Sequence, residues 1–317
     1  ATNWTPAATN QAGSLRLSRG TEIVAAAQAR QEVLVWTDSS LYSLQYVGAG
    51  SGVWAAQLVG EQISIASQNS VAYASGVSYW MGKDKFYMYD GSTQPLQCDL
   101  RKYVFTDFNT EQYNQVFGGS NEAFNEVWWF YCSSSATDND RYVVYNYLEH
   151  IWYYGSMARS AWLDSGLRAF PLAATYNSVL VNHEEGVDDN ETGTTAAISA
   201  FITSADFDLE DGDRFMLMSR VLPDVSFEGS TAANPAITMS FFPLTSSGSG
   251  YNSPTSESGV STGVATRSAT SPVEVYTSQI HTRVRGRQVS MKIESSAAGV
   301  QWQSGATRID IRPDGRR

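Results

Sequence analysis

The chain has 317 residues, of which 42% are hydrophobic, 12% aromatic and 17% charged, and its formal net charge is −11. That length allows a large core in one or two domains, and no stretch reaches the roughly 18 consecutive apolar residues of a membrane-crossing helix. An acidic balance argues against a surface that grips nucleic acid throughout, because phosphate binding rests on clustered Lys and Arg.

The opening, ATNWTPAATN, has neither a basic n-region nor an apolar h-region, so no secretory signal is visible. Since it starts at Ala1, the chain reads as the remainder of something longer. Residues 1–30 form an extended lead-in that ends in the Ala-rich Ile23–Ala29. Val33–Trp36 then turns through Thr37–Ser40 into Leu41–Val47, and alternation at Ile63 and Ile65 predicts a further strand within Val53–Ala66. The clearest hairpin lies in Gly76–Leu96: Val77–Met81, a turn at Gly82–Lys85, and Phe86–Tyr89. Residues 101–126 are polar and aromatic, with one short helix predicted near Thr110–Val116. Val127–Tyr131 (VWWFY) then turns through Cys132–Arg141 into Tyr142–Leu148, in the most aromatic part of the chain. These hairpins recur roughly 45 residues apart, a period that suits β-propeller blades. Trp36, Tyr79 and Trp129 are expected in corresponding strands.

The turn-rich His183–Thr195 separates this body from longer strands at Ile198–Thr203, Phe215–Val221, Ala236–Leu244, Val273–Thr282 and Val289–Ser295. These predict a second, sandwich-like antiparallel layer. Thr245–Pro272 is almost wholly Ser, Thr and Gly and reads as a long loop. The fold expected is therefore all-β. A β-propeller-like body of repeated hairpins spans 1–195, and a C-terminal antiparallel region spans 196–317.

Cys98 and Cys132 are too few for a disulfide framework or a zinc site. They read as small buried hydrophobes, a single disulfide being the alternative. His183-Glu184-Glu185 with Asp188 and Asp189 is the most site-like cluster, but it has one His and sits in a turn-rich stretch, so it reads as a solvated acidic loop. Asp206, Asp208, Asp211 and Asp213 read as strand-edge charge, with Phe207 and Leu209 toward the core. His150 is placed inside the strand HIWYY as a packing or hydrogen-bonding residue, and His281 has no visible acid–nucleophile partners. With no Walker loop, G-x-G-x-x-G, G-x-S-x-G or HExxH, neither an enzyme nor a cofactor is expected.

Charge is unevenly spread. From His281 to Arg317 eight Lys/Arg stand against Glu294, Asp310 and Asp314, a balance of +5, so the rest of the chain carries −16. Arg283, Arg285 and Arg287 alternate as a strand would, placing three guanidiniums on one face. Arg308, Arg312, Arg316 and Arg317 continue the basic theme. These seven are the candidate assembly or DNA-channel contacts. Bridging between subunits is the favoured role and phosphate contact the lesser one.

Eight stretches carry a resemblance: Trp4–Ser18, Val33–Gly48, Tyr79–Gly91, Glu126–Ser133, Arg141–Tyr147, Ser204–Asp213, Arg283–Ser290 and Arg308–Arg317. In this order, over nearly the whole chain, they resemble the tail nozzle, or packaged-DNA-stabilisation (tail hub), proteins of short-tailed bacteriophages (podophages). The resemblance implies a virion structural protein with a propeller body, assembled in the host cytoplasm as a ring, a hexamer, around the DNA channel. It implies partners in the tail adaptor above, in needle or fibre proteins nearby and in the passing DNA. It carries over no catalytic residues, and members of that family are longer at the N-terminus. The alternative is a carbohydrate-binding or host-adhesion module using Trp128, Trp129, Trp152 or Trp162, one of the first two being expected to face outward. A propeller hydrolase is a third reading, for which no triad is visible.

Overall fold

The computed structural model describes residues 5–7, 12–48, 53–166, 168–210, 212–245 and 268–315, and the chain is all-β. It divides into two compact units, Ala1–Glu185 and Gly186–Arg317. The division falls inside the turn-rich stretch, ahead of the expected boundary at 195. A small ladder explains the difference, because Asp188–Asp189 pairs with Ala196–Ala197 and draws these residues into the second unit.

The first unit is built from three four-stranded antiparallel meanders in chain order. The first comprises β1 (Ile23–Gln28), β2 (Val33–Thr37), β3 (Ser40–Tyr46) and β4 (Trp54–Glu61). The second comprises β5 (Val71–Ala74), β6 (Val77–Met81), β7 (Phe86–Tyr89) and β8 (Thr93–Leu96). A short helix, α1 (Arg101–Thr106), and a 3-10 turn at Thr110–Gln115 lead into the third. That meander comprises β9 (Phe117–Asn121), β10 (Glu126–Tyr131), β11 (Arg141–Asn146) and β12 (Ile151–Ser156). Four antiparallel strands joined by short turns are the unit of a propeller blade. Trp36, Tyr79 and Trp129 each lie in the second strand of their meander, β2, β6 and β10, as the repeat predicts. Ile63 and Ile65 correct the expected strand at that point: both are buried, but they follow β4 instead of forming it.

The meanders stack face to face, and β6 shows how. Its alternation sends Trp80 to one side, edge-on to Trp36 at 5.3 Å, in a cluster with Leu34, Ile63, Ile65 and Tyr87. Tyr79 and Met81 go to the other side, with Phe86, Trp129, Tyr131 and Tyr145. The strand β10 repeats the division, sending Trp129 and Tyr131 toward β6. Its Trp128 and Phe130 go to a further cluster with Trp162. Trp162 belongs to a three-stranded sheet of β13 (Ala161–Leu163), β14 (Leu172–Ala174) and β15 (Leu180–Asn182). A strand covered on both faces has no polar face to show, so VWWFY is a continuous apolar run and VSYWM is interrupted only by the small, buried Ser78. Gly119 of β9 makes room for the last layer, since a Cβ there would sit 2.3 Å from the Trp162 ring.

The second unit contains β16 (Asp188–Asp189), β17 (Ala196–Ala197), β18 (Ala200–Thr203), β19 (Phe207–Asp208), β20 (Met216–Leu222) and β21 (Val225–Ser226). After these come β22 (Ala236–Leu244), β23 (Ala269–Glu274), β24 (Ile280–Gly286), β25 (Gln288–Ser295), β26 (Gln303–Ser304) and β27 (Arg308–Pro313). One sheet runs β18-β25-β22-β23, with β19 also on β25, and another runs β24-β20-β27. A single core joins Met216, Met218, Val221, Ile280 and Val284 of the second sheet to Ile237, Met239, Phe241, Val289 and Ile293 of the first. This is the sandwich-like arrangement expected, with Phe207 and Leu209 packed against it. Residues 269–272, expected to be loop, pair with β22 as part of β23, and the expected strand Val273–Thr282 is broken between β23 and β24. Residues 246–267 of the expected loop lie outside the described residues.

Candidate assembly interface

The sheet β24-β20-β27 has one covered face. From its central strand, Met216, Met218 and Val221 enter the core. Strict alternation from Met216 would also send residue 220 inward. The register with both neighbours shifts between Met218 and Arg220, however, and this bulge resets the alternation. Arg220 is therefore exposed on the outer face. It was not among the arginines singled out from the sequence, because a bulge leaves no mark in the side-chain pattern.

The other strands add to that face. In β24, Ile280 and Val284 are buried while Arg283 and Arg285 point outward. In β27, Ile309 and Ile311 pack on the core, so Arg308, Asp310 and Arg312 take the outer positions. Leu217 pairs with Arg285 on one side and Arg312 on the other, which sets these two arginines about 10 Å apart across the sheet. The outer face thus gathers Arg220, Arg283, Arg285, Arg308 and Arg312. Against them stand Asp310, 3.7 Å from Arg220, and Asp314, 2.5 Å from Arg285. Arginines are in excess, and these exposed pairs each hold about 0–1 kcal/mol, so the face stays available to an acidic partner.

The expected row of three is broken. Arg287 lies beyond the end of β24, in the turn to β25, where its N–H donates to Leu244 O at 2.8 Å. At the end of the strand Gly286 passes so close to the end of β22 that a Cβ would lie 2.9 Å from Pro243 Cβ. Arg285 and Arg287 instead flank the Phe215 ring, at 4.2 and 5.3 Å from its centroid. Backbone bonds between Phe215 and Asp314 and Gly315, at 2.7 and 2.8 Å, tie the end of β27 to the start of β20 and bring Asp314 to Arg285. Arg316 and Arg317 lie outside the described residues.

Elsewhere the sequence candidates are dispersed. His183 accepts from Arg159 Nε at 3.0 Å, Glu185 accepts from Asn182 at 2.7 Å, and Asp188 accepts from Gly299 N–H at 2.6 Å. Among the described residues, no group of three or more His, Cys, Asp and Glu is placed to hold a metal. Asp208 accepts from Gln288 at 3.1 Å and Asp213 lies 3.9 Å from Arg214, while Asp211 is outside the described residues. His150 corrects its expected place in a strand: it occupies the turn before β12, with φ +57°, and its Nδ1 is 2.8 Å from Tyr145 OH. Both cysteines are free. Burial pushes the Cys98 thiol up to about 12 and the Cys132 thiol up to about 11, which keeps them protonated and inert.

The adhesion reading loses two of its four residues. Trp128 and Trp129 are both buried, because β10 is covered on its two faces, and neither faces outward as expected. Trp162 stacks on Trp128 at 5.2 Å, and Trp152 packs on Phe86 at 4.7 Å while donating to Gln97 O at 2.8 Å. Trp128 and Trp129 thus present no ring to solvent, while Trp152 and Trp162 are half-buried and engaged in these contacts. Comparison with protein-family models and with curated proteins returned no match.

Proposed function

We propose that this chain is a structural subunit of a short bacteriophage tail, a nozzle or hub component that closes with its copies into a ring, a hexamer, around the DNA channel. In that role it holds packaged DNA and passes it on infection, meeting the tail adaptor above and needle or fibre proteins nearby. The observation that carries the reading is the outer face of β24-β20-β27, where arginines from three strands converge on a protein that is otherwise acidic. Opposite charges on one chain are complementary when copies repeat head to tail and close. The resemblance of eight ordered stretches to nozzle proteins and the repeated meanders support the same reading. So does exposed apolar surface at Tyr46, Trp54, Phe201 and Tyr276, which subunit contacts would cover.

Negative-stain imaging of the purified protein tests this directly. Closed rings are expected, and their absence at every concentration, with glycan binding by a monomer, would sink the proposal. The triple change Arg283→Glu, Arg308→Glu, Arg312→Glu should leave a folded monomer that no longer closes rings. Intact rings from that variant, in particles that leak DNA, would move these arginines from assembly to phosphate contact.

A further inference from the structure

We propose that copies of this chain join end to end through the first and last sheets of the first unit. The outer face of β13-β14-β15 on one copy covers the outer face of the first meander on the next. This contact specifies which faces meet in the ring proposed above, and it rests on that reading for closure. Both faces follow from register, because residues directly opposite each other in an antiparallel pair share a face. In the three-stranded sheet, Trp162, Ala173 and Val181 stand opposite one another and turn inward with the Trp162 cluster. The outer face is left with Ala161, Leu163, Leu172, Ala174, Leu180 and Asn182. Leu163 is 58% exposed and Leu180 67%.

In the first meander, Leu34, Trp36 and Leu41 turn toward β6. Its outer face therefore carries Val33, Leu44, Tyr46, Trp54, Ala56 and Leu58. The lead-in covers one end of that face, where Arg19 N–H donates to the Tyr42 hydroxyl at 2.6 Å and Arg19 Nε lies 3.4 Å from Glu61. Toward the other end Tyr46 and Trp54 stand edge-on at 5.9 Å and are 62% and 46% exposed. Neither set of six holds a charged side chain. An antiparallel sheet with one face in water alternates apolar inward and polar outward, as the outer arginines of β24-β20-β27 do. The two end faces depart from that pattern and match the covered faces inside the stack.

A second copy is the occupant that fits both ends. Uncharged faces offer nothing to phosphates or to an acidic partner. One heterologous contact, repeated, covers both ends of each copy, whereas a different partner would cover one end and leave the other bare. The faces also complement each other in size: Tyr46 and Trp54 present large rings, while Ala161 and Ala174 are paired small residues beside leucines. The same device already joins β9 to the last sheet, where Gly119 receives the Trp162 ring.

Sedimentation equilibrium of the whole chain tests the contact with one changed residue at each end. Trp54→Glu and Leu180→Glu each set a carboxylate into it from an exposed position, and each alone should weaken association at least about tenfold. An equal mixture of the two should recover the wild-type pairwise affinity, but only as a 1:1 dimer, since the intact face of each variant meets the intact face of the other. Association undiminished in either variant overturns the proposal, and rings that persist in both leave their closure to the arginine face. A mixture no tighter than its components overturns it too, as does a Leu180→Glu protein that still pairs fully with itself, which marks a twofold contact. Wild type that stays monomeric at every concentration removes the contact and the ring together. Open chains that both variants abolish support the contact and remove the ring alone. If Trp54→Glu fails to fold by circular dichroism, Tyr46→Glu takes its place on the same face.

Discussion

The two units bury their cores with different chemistry. In the first, Trp36, Trp80, Trp129, Tyr131, Phe86 and Phe130 are fully buried, and rings stack from one meander to the next. In the second, Phe241 is the one aromatic of that class among the described residues, and Met216, Met218 and Met239 fill much of the rest. Aromatic layers lock by ring geometry and by indole donors such as those of Trp80 and Trp129, which reach Ser64 O and Ser70 O, whereas methionine adapts to irregular gaps. The second difference follows from coverage. The meander strands β6 and β10 are buried on both faces over Ser78–Met81 and Val127–Tyr131, and those stretches hold no charged residue. The sheet β24-β20-β27 is covered once, and its free face is where arginines collect. Coverage of the second face therefore decides which part of this molecule can meet a partner.

The sharpest way to break the contrast is to cut into each core. Trp129→Ala removes a ring packed 5.0 Å from Phe86 and a donor to Ser70 O at 2.9 Å, and should cost about 3–5 kcal/mol. Met218→Leu in the sandwich should cost less than about 1.5 kcal/mol. Urea denaturation followed by far-UV circular dichroism compares them, and equal losses would erase the distinction. Gly119→Ala, which drives a methyl into Trp162, should cost about 1–3 kcal/mol by overpacking. Adding Trp162→Leu should then cost less than it does in the wild-type background; simple additivity in the double-mutant cycle would mean that the two residues do not press on each other.

A smaller effect carries a pH signature. The Glu184 carboxyl is raised by burial and then by Glu126, so its stabilising contribution is present below the ordinary carboxylate range and is lost as pH rises through its raised pKa. Glu184→Gln should thus raise the thermal midpoint more at pH 8 than at pH 4, and a pH-independent change would contradict it. The smallest expected effect is that of Arg220→Ala, at most about 1 kcal/mol on folding. The same change should make ring closure more sensitive to salt, which imaging over a salt series would register; unchanged salt sensitivity would remove Arg220 from the interface.

Much of this architecture was legible in the chain. Aromatic hairpins at a regular spacing placed Trp36, Tyr79 and Trp129 in equivalent strands, and Ala236–Leu244 forms the strand its composition predicts. Local pattern suffices there because turn residues and β-branched or aromatic runs act within a few residues of each other. The tertiary structure alone decided three other things. Trp128 is interior because a later sheet, 34 residues on at Trp162, covers its face. Arg220 is exterior because a bulge shifts the alternation, while Arg287 falls in the turn between β24 and β25 and so leaves the row. Glu184, read as part of a solvated loop, turns its carboxyl to Asn121 and Glu126, more than 50 residues earlier in the chain. Alternation says which residues share a face, but what covers that face, and which distant charge is brought beside a given one, depends on contacts between segments that the local pattern does not encode.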